Sequence, residues 1–106
     1  EGSHVSLVIE PSAVDILPDA LTFAKMGILP EGMYRNREFA EAKVDMGDFP
    51  LALLDVLFDP QTSGGLLIAA AREHADAVFE ALKGVAPSAQ RIGEVIPQAQ
   101  KAILLR

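Results

Sequence analysis

From position 59 to 66 the chain reads Asp59-Pro60-Gln61-Thr62-Ser63-Gly64-Gly65-Leu66. A carboxylate, an amide, two hydroxyls and two glycines stand together just ahead of an apolar run. Such a set can bind an anion. Glycine permits backbone angles that turn successive N–H groups toward one point. Thr62 and Ser63 can donate further hydrogen bonds to phosphate oxygens, and Asp59 can orient a water or approach a metal. The competing reading is a tight loop whose Asp, Thr and Ser satisfy their own backbone. On these residues alone both readings stay open. The loop departs from the common phosphate fingerprints: it has no Gly-x-Gly-x-x-Gly and no Walker-type lysine. It precedes a predicted strand, so no helix N-terminus would add its dipole.

A second polar stretch is Met33-Tyr34-Arg35-Asn36-Arg37. Arg35 or Arg37 can grip phosphate or carboxylate with two parallel hydrogen bonds, and Asn36 can fix a neighbouring group. The alternative is a solvated loop with its arginines paired to Glu38 or Glu41. His4 stands near a terminus. His74 has no second ligand at i+4, so it does not suggest a metal site. Asp45 and Asp48 suit turn and capping roles, and Met26 and Met33 suit packing. There is no cysteine, which excludes a disulfide framework, a Cys-based zinc site and a Cys nucleophile within these residues.

The elements that must position these groups follow from periodicity. Residues 5–10 are rich in β-branched side chains and read as a strand ended by Pro11. Leu17, Ala20, Leu21 and Ala24 share one helical face, with Pro18 near its start and Gly27 at its end. Residues 28–48, punctuated by Pro30, Gly32, Asn36 and Gly47, read as mostly loop, with a short helix possible over 37–43. Asp48 is placed to cap a helix through Leu51, Leu54 and Phe58. Residues 66–71, Leu-Leu-Ile-Ala-Ala-Ala, suit a central strand covered on both faces. Residues 72–83 form the clearest helix, stopped at Gly84. Two closing strands, 92–96 and 102–105, flank a turn at 97–100. The order predicts an α/β (α+β) fold with helices packed on a mixed sheet.

The 106 residues suit one domain, and 50% hydrophobic content is enough for a core. A net charge of −6 disfavours nucleic acid and anionic membrane as partners. No apolar run approaches the ~20 residues of a membrane helix. The opening Glu1-Gly2-Ser3-His4 lacks the apolar core of a signal peptide, and a strand follows almost at once, as in an excised domain.

The run from Leu57 through Asp59-Pro60-Gln61-Thr62-Ser63-Gly64-Gly65 to Ala69 resembles the C-terminal signature of selenophosphate synthetases (selenide, water dikinases). Val14-Asp15-Ile16-Leu17-Pro18, then Gly27-Ile28-Leu29-Pro30, then Tyr34-Arg35-Asn36, is similar to the same family, at matching spacing. The resemblance covers nearly the whole chain. It implies that residues 1–106 are the C-terminal domain of a larger two-domain enzyme of the aminoimidazole ribonucleotide synthetase-related superfamily. The expected partner is its own N-terminal ATP-binding domain. The whole enzyme would convert selenide, ATP and water into selenophosphate, AMP and phosphate, as a cytoplasmic homodimer using Mg²⁺. The catalytic Cys or selenocysteine, its lysine and the Mg²⁺-binding aspartates would lie outside these residues. No catalytic or metal-binding residue is therefore assigned here, no cofactor is expected in this portion, and it is expected to be inactive alone. Asp59, Gln61, Thr62, Ser63, Gly64 and Gly65, with Arg35 and Asn36, are expected to border the inter-domain cleft and position phosphate or selenide-derived groups. Two other readings are a non-catalytic binding or dimerisation module and the C-terminal domain of another ATP-dependent enzyme of the superfamily.

Overall fold

The computed structural model describes residues 2–106. Its organising element is β1 (Val5–Ile9), whose β-branched residues suit a strand flanked on both sides. The other strands are β2 (Val44–Asp45), β3 (Gly93–Pro97) and β4 (Ile103–Leu105). The sheet runs β2-β4-β1-β3. β4 is parallel to both β1 and β2, and β3 is antiparallel to β1. The sheet is mixed, as the sequence predicts.

Register sorts the faces. Leu7 and Val44 both stand opposite Ile103, and Ile9 stands opposite Leu105. Alternation then puts these five on one face. That face is covered by α2 (Glu31–Ala40) and α3 (Leu51–Leu57), and the core lies between. Val44, Leu54 and Leu105 are buried there, with Ile9, Met46, Phe49, Leu57, Phe58 and Ile103 packed around them. On the other face Ser6 is fully buried. Its hydroxyl donates to the Lys101 carbonyl at 2.7 Å and accepts from the Ala99 N–H at 2.9 Å, tying β1 to the turn between β3 and β4.

Three expectations are corrected. Residues 28–48 are largely regular: α2, a 3-10 turn over Glu41–Lys43, and β2. Long-range anchors override the loop-like composition, chiefly the fully buried Met33 and an Arg37–Asp55 ion pair at 2.8 Å. Asp48 does not cap α3; Pro50 precedes its first turn, and the Pro50 carbonyl accepts from the Leu53 and Leu54 N–H groups. Residues 66–71 form no strand. Both neighbours of β1 are already taken, and Leu66 is 90% exposed.

The predicted C-terminal helix is a 3-10 turn over Arg72–His74 followed by α4 (Ala75–Val85), which continues through Gly84. No residue of α4 is fully buried. The radius of gyration, 14.7 Å, exceeds the about 13 Å usual for this length. Among the described residues no helix is long and apolar enough to cross a membrane.

Candidate functional site

The site begins at the end of α1 (Ala20–Lys25). Gly27 adopts φ +75°, which only glycine takes without cost. Its N–H donates to the Ala24 carbonyl at 3.0 Å, and the Ile28 N–H donates to the Phe23 carbonyl at 2.9 Å. This paired closure is a Schellman motif, and it folds the chain back so that Ile28 approaches Phe23. Both residues wall a cleft of about 410 Å³, with Val14, Leu17 and Val56 as further apolar lining. Asp15, Asp59 and Gln61 supply its polar groups.

α3 supplies the second wall and delivers Asp59. The Asp59 N–H donates to the Val56 carbonyl at 3.2 Å, and the Gln61 N–H donates to the Asp59 carbonyl at 2.9 Å, so the chain turns as the helix ends. α2 holds that turn from outside. Asn36 Nδ2 donates to the Phe58 carbonyl at 3.0 Å. A Cβ added to Gly32 would sit 2.8 Å from Pro60 Cγ, so the missing side chain is what lets α2 approach the proline. The Arg37–Asp55 pair locks α2 to α3 one turn further on; Asp55 is buried and Arg37 about one-third exposed.

The structure therefore joins some of the expected site residues and separates others. Asp59 and Gln61 line the cleft, and Asn36 braces it through Phe58. Arg35 lies on the outer surface of α2 with a side chain 74% exposed, 3.9 Å from Glu31. Arg37 pairs with Asp55 rather than with Glu38 or Glu41. Thr62, Ser63, Gly64 and Gly65 are exposed beyond the cleft. The left-handed backbone angle falls on Ser63, at φ +55°, and on neither glycine of that loop. For a residue with a side chain this conformation costs about 1 kcal/mol. Gly64 instead lies against Gln61, whose Oε1 would be 2.8 Å from an added Cβ.

Sequence reasoning placed Asp15 in a matching block without giving it a site role. Its one signal was a lone carboxylate between apolar Val14 and Ile16. Two carboxylates and an amide between apolar walls suit hydrogen-bond donors or cation-bearing groups. A bare phosphate would meet like charge there. Among the described residues no three His, Asp or Glu side chains are grouped to hold a metal ion. The carboxyl held below its ordinary range is Asp45, remote from the cleft lining; the Arg106 guanidinium at 2.6 Å and the Gly47 N–H at 3.2 Å stabilise its charged form.

Several known proteins similar to this chain match it over nearly its entire length. It is 39% identical over 106 residues to selenide, water dikinase 2 of Peptoclostridium acidaminophilum, covering 99% of this chain and 30% of that protein. It is 41% identical over 105 residues to selenide, water dikinase of Clostridioides difficile strain 630, covering 97% and 30%. With the counterpart in Treponema denticola it shares 42% over 82 residues, 77% of this chain and 23% of that protein. The chain thus spans about 30% of the length of the first two relatives. The family model for AIR synthase related protein, C-terminal domain, matches residues 2–105, and the chain belongs to that family.

Proposed function

We propose that these residues are the C-terminal domain of a two-domain selenide, water dikinase, in which the cleft faces an N-terminal ATP-binding domain. The parent enzyme makes selenophosphate from selenide, ATP and water, releasing AMP and phosphate. The observation that carries this reading is convergence. Three separated blocks, around Asp15, around Asn36 and around Asp59 and Gln61, meet at the cleft. Identity near 40% to selenide, water dikinases along the whole chain supports the same reading.

In this reading Asp59 and Gln61 orient groups at the mouth of the cleft, and Asn36 holds their turn in place. Thr62, Ser63, Gly64 and Gly65 present N–H and O–H donors outward, toward the other domain, where they meet phosphate or selenide-derived oxygens. Arg35 adds positive charge on the exposed surface of α2. Phosphoryl transfer depends mostly on positioning and electrostatics, so such residues contribute without acting as nucleophile or base. ATP and Mg²⁺ serve the parent. In this reading the Mg²⁺ ligands are supplied by the other domain. A homodimeric, cytoplasmic parent completes the reading.

The test is Asp59→Ala and Arg35→Ala in the full-length protein, read as selenide-dependent release of AMP from ATP. Each variant is expected to lose on the order of 10- to 100-fold in turnover, the size that follows from misplacing a bound group. The melting temperature should stay unchanged, because both side chains are exposed. Unchanged turnover in both would remove them from the site.

A further inference from the structure

Asp59 is held from both sides by one helix. The carbonyl of Phe58, just before it, accepts from Asn36 Nδ2 at 3.0 Å. Phe58 ends α3, so this is a carbonyl that the helix itself leaves without a partner. The ring of Pro60, just after it, packs on Gly32, where an added Cβ would sit 2.8 Å from Cγ. Gly32 and Asn36 are four residues apart in α2 and share one face of it. The fully buried Met33 and the Arg37–Asp55 pair at 2.8 Å fix that helix in place. The two peptide groups that flank Asp59 are thus held, and with them the direction in which its carboxylate leaves the chain.

The backbone does not explain a glycine at position 32. The glycines with positive φ are Gly27 and Gly47, and Gly32 is not among them. It lies in the first turn of α2, where alanine is the better helix former. What position 32 cannot accept is the Cβ, because the proline ring stands in its place. A closed ring has no alternative rotamer into which it can retreat, so an added methyl must push the turn. At this position helix stability and site geometry ask for different residues, and the chain carries the one that suits the site.

We propose that Gly32 is a positioning residue: by leaving room for Pro60 it lets α2 clamp the residues on either side of Asp59, and so sets the aim of the Asp59 carboxylate into the cleft. The inference deepens the proposed function and rests on it, since turnover feels the clamp only where Asp59 orients a bound group.

The experiment uses the full-length protein with Gly32→Ala, made alone and together with Pro60→Ala or Asp59→Ala, beside those two single variants. Hydrogen exchange and selenide-dependent release of AMP are measured on each. In Gly32→Ala the amides of Asp59 and Gln61, which bond within the turn, are expected to exchange about 10-fold faster, while those of Val5–Ile9 keep their rates. Turnover is expected to fall about 10-fold. In the Pro60→Ala background Gly32→Ala should change neither, because the Cβ that remains at position 60 lies 3.4 Å from the new methyl, an ordinary contact. In the Asp59→Ala background it should lower turnover by less than about 2-fold, because both changes act on one carboxylate. A merely structural glycine would give no such cancellation. Unchanged exchange of the turn in Gly32→Ala would overturn the proposal. So would an effect that persists in the Pro60→Ala background, or a turnover loss of full size on top of Asp59→Ala. A parent without dikinase activity would retire the functional reading alone, and exchange in the Gly32 and Pro60 variants would still decide the clamp.

Discussion

The packed layer around α3 and the segment from Leu66 to Val85 are both rich in leucine, valine and alanine, yet only one of them forms a core. In α3 the apolar side chains recur at helical spacing, and a sheet face lies opposite to receive Leu54. Residues 66–71 have the apolar character without the opposing surface, and α4 has an apolar face with no fully buried residue. Hydrophobicity is a property of a segment, whereas burial belongs to a pair of surfaces. The difference teaches that apolar composition alone does not make a core; an opposing surface does.

The sharpest way to break this comparison is to truncate one leucine on each side. Leu54→Ala should cost about 3 kcal/mol in urea denaturation, as a buried leucine in a packed site does. Leu66→Ala should cost less than about 0.5 kcal/mol, because its side chain is already in water. Equal costs would mean that residues 66–71 are buried in solution and the contrast is false.

A smaller effect separates the two arginines of α2. Arg37→Met should destabilise by about 2 kcal/mol, leaving the buried Asp55 carboxylate without its partner. Arg35→Met should change stability by less than about 0.5 kcal/mol, since its contact with Glu31 is exposed and long. Thermal melts of both would check this, and a costly Arg35 change would place that side chain in a contact it does not make here.

The smallest expected effect concerns acid. The folded state holds the Asp45 carboxyl below its ordinary range, chiefly through Arg106. A lowered folded value means the stabilisation is complete above the ordinary carboxylate range and is lost as pH falls through the folded value. Asp45→Asn should therefore melt slightly below the parent sequence at pH 7. The gap should close as pH drops below about 4. A gap that is constant with pH would show that the charge of Asp45 contributes nothing.

Legibility in the sequence followed the range of the contacts. β1, α1 and α3 could be read because β-branched residues, the spacing of Leu17 to Ala24, and Gly27 are local signals. The mixed sheet could be read from the order of elements. α2 could not, since Gly32 and Asn36 resemble loop residues until Pro60 and Phe58 are seen beside them. The run at 66–71 has strand-like composition, but no local pattern reveals whether a partner strand is present. Within the site, Asp59 and Gln61 were visible as a polar cluster. Asp15 was harder to see because the cleft that contains it is made by α1 meeting α3.

The pairing of β1 with β4 has a consequence for synthesis. Leu7 stands beside Ile103, and the Ser6 hydroxyl reaches across 95 positions to Lys101. Among the described residues β4 is also the only strand neighbour of β2. Within these residues β1 therefore waits for β4, made about a hundred residues later. Until residues 101–105 clear the ribosome, β1 can hold only β3, and the core face has no Leu105 to close it. Contacts of such long sequence separation fold slowly. During that interval the core face of Val5–Ile9 stays uncovered, and such transiently exposed strands are prone to aggregate.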